Sequence, residues 1–250
     1  MRKLPEAASD DPTTGVSEVG DAVKRILQVL LVVVALCAAV VLFLVVSHAM
    51  EDQRAYKPVL YLYPEQEQAV TVALDLEGTL DTVYPAPDQA ASADGRTRAS
   101  WTVDAAPDGT LTDASGREYP SLFWDATMAL PEPDSGFVVS RDEAVPFLED
   151  KLAELGLSDR EAADFITYWA PRIRSHEYTF VSFDASAYTQ RASYGFTDAS
   201  GEQIVPDTFI RVFMTIREAD ASTAVQPQTL TPPPPRAGFT AVEWGGTEQL

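Results

Sequence analysis

The run from Ile26 to Val46 constrains this chain more than any other feature: twenty-one residues with one polar side chain, Gln28, and no charge. At 1.5 Å per helical residue such a run spans about 30 Å, the hydrocarbon thickness of a bilayer. Neither Pro nor Gly interrupts it. A surface helix of a globular domain keeps a polar face toward water, and this segment has none. The expectation is a single transmembrane helix within 24–49. Lys24 and Arg25 abut its start, and Ser47, His48, Glu51 and Asp52 close it.

A cleaved secretory signal has an apolar region of about 7–15 residues close to the N-terminus. Here a polar leader of 25 residues comes first. Ser47-His48-Ala49 supplies small residues where a signal peptidase cuts, so release before Met50 is the competing reading. Cys37 is read as one more small apolar residue of the helix, since Leu36 precedes it and nine apolar residues follow. Each flank offers two basic side chains, Lys24 and Arg25 against Arg54 and Lys57, so the positive-inside count is tied. The leader's pair touches the membrane edge, and long domains cross largely regardless of their own charge. This places the leader in the cytoplasm and residues 51–250 outside the cell membrane.

From residue 51 onward there are 33 acidic and 14 basic side chains, a net −19 that carries nearly all of the chain's −20. Charge of that sign repels nucleic acid and anionic headgroups, and it also keeps a domain hydrated. The region has no cysteine and one histidine, His176. Disulfides, Fe–S clusters, thiolate zinc sites and a cysteine nucleophile are thereby excluded. No cofactor or resident metal is expected; for so acidic a surface a hard cation such as Ca²⁺ would be the natural guest.

The organisation expected is a disordered leader over 1–23, the membrane helix, a polar linker over 50–57 and an α+β domain over 58–250. Val59–Tyr63 and the alternating Val70–Leu76 read as strands. Residues 85–99 read as a loose loop, and Pro107-Asp108-Gly109 and Asp113–Gly116 as turns between short strands. Ser140…Glu143 and Ser158…Glu161 have the form of capping boxes. Behind them Val145, Leu148, Leu152, Leu155 and then Ala162, Phe165, Ile166, Trp169 recur at helical spacing, with stops at Gly156 and Pro171. This gives a two-helix hairpin inserted in a mostly antiparallel β domain. Residues 178–183, 209–216 and 239–244 complete the strands, the last stopping at Gly245-Gly246. Gln226–Pro235 reads as a polyproline II connector, with a docking motif for a proline-reading domain as the sharper alternative.

Several strings together resemble a family of bacterial exported or membrane-anchored proteins with no assigned activity. They are Lys57-Pro58-Val59-Leu60-Tyr61-Leu62-Tyr63-Pro64, Leu122-Phe123-Trp124-Asp125, Tyr168-Trp169-Ala170-Pro171, Arg211-Val212-Phe213-Met214 and Gly238–Gly246. The family's domain opens with K-P-V-x-Y-L-Y-P and closes with G-F-x-x-x-E-W-G-G, so the resemblance covers most of 57–247. It implies an extracytoplasmic setting and no catalytic residue. Its pattern has Glu where Asp125 stands, and a catalytic carboxylate rarely tolerates that change of reach.

Two carboxylates adjoin tryptophans, Asp125 after Trp124 and Glu243 before Trp244. Acids beside aromatic platforms suit general acid and base work on a glycosidic bond. The bland alternative is strand alternation, which puts Trp in the core and acid in water. His176-Glu177 is a further acid/base candidate, against a plain surface histidine. No nucleophile elbow, P-loop, dinucleotide fingerprint or H-E-x-x-H occurs. The expectation is therefore a binding or cell-envelope-associated module, bound to the membrane through 26–46 and meeting an envelope polymer or protein. The alternative is a carboxylate-dependent hydrolase acting on envelope glycans.

Overall fold

The computed structural model describes Gln28, residues 30–41 and residues 52–249. Residues 30–41 form a helix, α1, whose side chains are all exposed. Among the described residues no helix is long and apolar enough to cross a membrane. The expected leader and both ends of the expected span lie outside the described residues. Met1–Ala49 and Met50–Leu250 are separate compact units, and the second carries the strands.

Those strands form two sheets. The larger runs, edge to edge, through β14 (Gln226–Pro227), β9 (Ser135–Ser140), β10 (Tyr178–Phe183), β13 (Thr208–Ala219), β15 (Thr240–Gln249), β1 (Asp52–Tyr63), β8 (Leu122–Ala129) and β3 (Thr79–Tyr84). The smaller joins β12 (Gln203–Ile204), β11 (Ala192–Thr197), β2 (Gln68–Glu77), β5 (Arg96–Ala105), β6 (Leu111–Thr112) and β7 (Glu118–Tyr119), with β4 (Gln89–Ala93) also on β5. Pairing is antiparallel except between β13 and β15 and between β14 and β9. The domain is mixed helix and sheet, mostly antiparallel strand, as the sequence implies.

Alternation sorts the central strands between two cores. On β1, Leu60 and Leu62 enter the core between the sheets, whereas Val59 and Tyr61 face the helices α2 (Ala144–Glu154) and α3 (Asp159–Ile173). On β15, Ala241 faces the smaller sheet while Val242 and Trp244 meet Phe165 and Trp169 of α3. The larger sheet is thus the middle of three layers. Strands covered on both faces read as unbroken apolar runs, as Val59–Tyr63 does.

Both helix ends are legible in the bonds. Ser158 Oγ accepts from the Glu161 N–H and the Glu161 carboxylate accepts from the Ser158 N–H, a complete capping box. Gly156 N–H donates to Ala153 O and Leu157 N–H to Leu152 O, a Schellman closure of α2. The first expected box does not form. Ser140 Oγ bonds the Glu143 carboxylate instead, Arg141–Glu143 make a 3₁₀ turn, and the Arg141 N–H goes to the Glu177 carbonyl. Pro171 does not end α3, which continues to Ile173. So near the helix end the ring removes one bond, and Arg172 donates to the Tyr168 carbonyl while Ile173 is fully buried.

Three strand boundaries also differ from expectation. The polar stretch assigned as a linker is the first half of β1, with Asp52–Ala55 paired to Ala126–Ala129. Residues 85–99, expected as loop, contain β4 and the start of β5, joined at Asp94-Gly95, both with positive φ. And β15 runs through Gly245-Gly246, because the partner surfaces there leave no room for a side chain. A Cβ on Gly246 would lie 2.5 Å from Met214 O and from the Trp169 ring. The short helix α4 (Ser186–Arg191), with Tyr188 as its one fully buried side chain, carries no periodic signal.

The connector after β13 is tied down along its length. Gln228 bonds both backbone groups of Phe183, Leu230 is buried, and Pro233 lies against Gly156. Arg236 then donates to the Glu161 carboxylate and the Gly156 carbonyl. Burial raises the Glu161 carboxyl, but the Arg236 and Ser158 bonds outweigh it and hold the group below its ordinary value.

Candidate functional site

Arg211 and Glu243 are register partners on the parallel strands β13 and β15, both pointing between the sheets. Arg211 Nε donates to Glu243 Oε2 at 2.7 Å. Tyr188 of α4 and Tyr194 of β11 donate to Oε1 at 2.6 and 2.7 Å, and Trp124 Nε1 donates to the Tyr194 hydroxyl at 2.8 Å. The guanidinium is stacked among the rings of Tyr188, Tyr194 and Phe209. Burial and then the Glu243 charge push both tyrosine hydroxyls well above their ordinary value. Burial lowers Arg211, but the same carboxylate overrides it and keeps the cation charged. The Glu243 carboxylate is 1 % exposed and both its oxygens are committed. The arrangement clamps one sheet to the other, and no substrate reaches it.

Asp125 lies on the opposite face of the same sheet. Its Oδ1 accepts the Lys57 N–H at 2.6 Å, at the irregular step in β1 between Tyr56 and Val59. The Lys57 ammonium in turn sits 4.9 Å over the Tyr168 ring and 5.5 Å over the Trp244 ring. Asp125 and Glu243 therefore project away from each other, as alternation requires, but Glu243 enters a second core rather than water. His176 follows α3, 3.7 Å from Glu218 and 4.0 Å from Glu248. The Glu177 side chain is exposed, and its carbonyl holds Arg141. No group of three or more His, Cys, Asp or Glu able to hold a metal ion occurs among the described residues.

A depression of about 600 Å³ opens on the outer face of the smaller sheet. Register places Gly195, Ala73, Ser100 and Gln89 side by side across β11, β2, β5 and β4, with Ser193, Asp75, Arg98 and Ala91 as the next row. Small side chains make the floor, and Asp75 is bonded by Arg96 and Arg98. Burial, the largest single cause, raises the Asp75 carboxyl, but the hydrogen bonds and charges of Arg96 and Arg98 together outweigh it and hold the group below its ordinary value. Five of its twelve lining residues come from the stretch expected as loop. The Asp94-Gly95 hairpin dipeptide was the signal that could have found it. No family model, curated protein or solved structure matches this chain.

Proposed function

We propose that this chain is a single-pass, membrane-tethered binding module that holds its acidic α+β domain outside the cell and engages a hydroxyl-rich envelope polymer. The observation that carries the reading is the trough on the smaller sheet. Its floor is small and apolar, and its Gln, Ser, Asp and Arg side chains supply a few oriented polar groups, the usual composition of a recognition surface. Asp75 is the single carboxylate among the described residues lining it. Glycosidic hydrolysis needs two, which favours binding over the hydrolase reading. For the tether, the support is the charge-free run 26–46 and the exposure of α1, where Leu30, Leu31, Val32, Val33, Val34, Leu36, Val40 and Val41 are each more than half exposed. A helix so apolar on all sides calls for an apolar surround. The resemblance to exported proteins supports the same placement.

Gly195→Trp tests the binding surface. A Cβ at Gly195 meets nothing within 4 Å, so the indole fills the trough without strain. Purified wild-type chain should retain an envelope polysaccharide fraction, and the variant should fold equally well and retain none. Equal retention by both would remove the trough from the function. Protease added to intact cells should release the domain and leave an embedded stub; full protection of 51–250 would overturn the topology.

A further inference from the structure

Among the described residues five strands end the two sheets, and four of them carry a device that stops further pairing. β14, β12 and β7 are two residues long. Pro227 lies within β14, Pro120 follows β7 directly, and Pro206 stands two residues beyond β12. β3 is broken by a register shift between Leu80 and Thr82, where the exposed Asp81 stands. Short length, proline, an irregular step and charge are the means by which folded chains blunt a sheet edge. β4 has none of them. Its residues Gln89-Ala90-Ala91-Ser92-Ala93 are all exposed, carry no charge or proline, and among the described residues pair only with β5.

The hairpin fixes which groups this edge offers. Positive φ at both Asp94 and Gly95 makes a two-residue turn whose flanking residues, Ala93 and Arg96, are a hydrogen-bonded pair. Bonded and non-bonded pairs alternate along an antiparallel ladder, so Ala91 and Gln89 also turn their backbone groups to β5. Ser92 and Thr97 are then a non-bonded pair, the kind whose side chains approach most closely, and their hydroxyls share a hydrogen bond at 3.0 Å. The N–H and C=O groups of Ala90 and Ser92 therefore point away from the sheet, two donors and two acceptors in line.

We propose that this edge takes an extended basic peptide as an added strand. Strand addition draws its affinity from main-chain hydrogen bonds, and the small side chains of β4 leave that approach unobstructed. The charge of the peptide follows from the ends of the strand. Asp88 and Asp94 bracket it, both are exposed, and among the described residues neither joins an ion pair. Arg96 and Arg98 on the adjacent strand are already matched by Asp75 and Glu77. In either strand direction, peptide residues six apart lie opposite Asp88 and Asp94, so lysine or arginine fits there. A second copy of this chain does not fit. Laid antiparallel over the full strand it would set Asp88 against Asp94 at both ends, and each copy brings the net −19 of residues 51–250.

The test uses the full-length chain in a maltoside detergent and a dye-labelled, end-blocked heptapeptide, Lys-Thr-Val-Thr-Val-Thr-Lys, followed by fluorescence anisotropy. Saturable one-to-one binding below about 1 mM is expected, weakened at least about tenfold in Ala90→Pro. That substitution removes an outward donor and spares the bonds to β5. Two further probes leave the protein untouched. N-methylation of both valines, or of all three threonines, removes the donors along one edge of the peptide. One of these forms should lose binding at least about tenfold while the other keeps it. Glutamate in place of both lysines should also weaken binding at least about tenfold. No saturable binding by the lysine peptide, or equal binding by the two N-methylated forms, overturns the added strand. The inference is independent of the polymer reading: Gly195→Trp fills the trough and should bind the peptide as wild type does, whereas loss there would put the peptide in the trough and overturn the edge. A dimer in sedimentation equilibrium that Ala90→Pro dissolves would give the edge to a second copy and overturn the peptide.

Discussion

At the level of single residues, Glu243 shows how a correct face assignment leads to the wrong solvent. Alternation places it opposite Trp244, and it is opposite. What alternation alone could not supply is that the sheet has a second covered face, where the carboxylate meets Arg211, Tyr188 and Tyr194. The Arg211-Val212-Phe213-Met214 and Glu243-Trp244 strings hold both partners, but their pairing is set by a parallel register between segments thirty-two residues apart. Glu243→Gln leaves the Arg211 cation in the core without a counter-charge, so it should cost about 3–5 kcal/mol. Urea unfolding measures this, and a loss under about 1 kcal/mol would mean that water reaches the pair. The buried phenols add a pH dependence. Burial, in each case the largest cause, raises the hydroxyls of Tyr61, Tyr63, Tyr188 and Tyr194 above the ordinary value of 10.0. The folded chain then keeps protons that the unfolded chain releases. Their contribution is complete below about pH 10 and is lost as pH rises beyond it. The urea midpoint should fall steeply between about pH 10 and about pH 11.5, and a flat midpoint there would show the phenols to be accessible.

Among the elements, the helices were the most legible because their signals are local. Ser158-Asp159-Arg160-Glu161 forms the box its spacing announces, and Gly156 closes α2. Ser158→Ala should cost about 1 kcal/mol in thermal or urea unfolding without preventing folding. Ser140→Ala should cost less than half of that, because its hydroxyl caps no backbone donor; equal losses would contradict the bond pattern. Strand ends were less legible because distant residues decide them. Gly245-Gly246 looks like a stop, yet Pro58 and Trp169 press on these positions and the strand continues beneath them. Gly246→Ala should therefore destabilise by roughly the 1–3 kcal/mol of an overpacked core, or more if Trp169 has nowhere to move. A neutral effect in urea unfolding would mean that the α3 packing is looser than the contacts imply.

For the whole molecule, the question is where the folded domain begins. Composition suggested Pro58, since Glu51–Lys57 is polar and follows the apolar run. The sheet answers otherwise: β1 starts at Asp52 and stands between β15 and β8 in the middle of the larger sheet. Its first half pairs four residues with β8, and Ala55 is fully buried in the inter-sheet core. That pairing with Ala126–Ala129 is set by long-range topology, which no local pattern carries. Removing this half would open β8 along Ala126–Ala129 and expose the inner face beside Thr247 and Gln249. A chain starting at Met50 should therefore unfold in one cooperative urea transition without metal, with the same midpoint in the presence of a chelator. One starting at Pro58 should lose cooperativity or fail to fold, as read by near-ultraviolet circular dichroism and the urea profile. Equal midpoints for the two chains would show that the first half of β1 adds nothing to the sheet, and would return the boundary to Pro58.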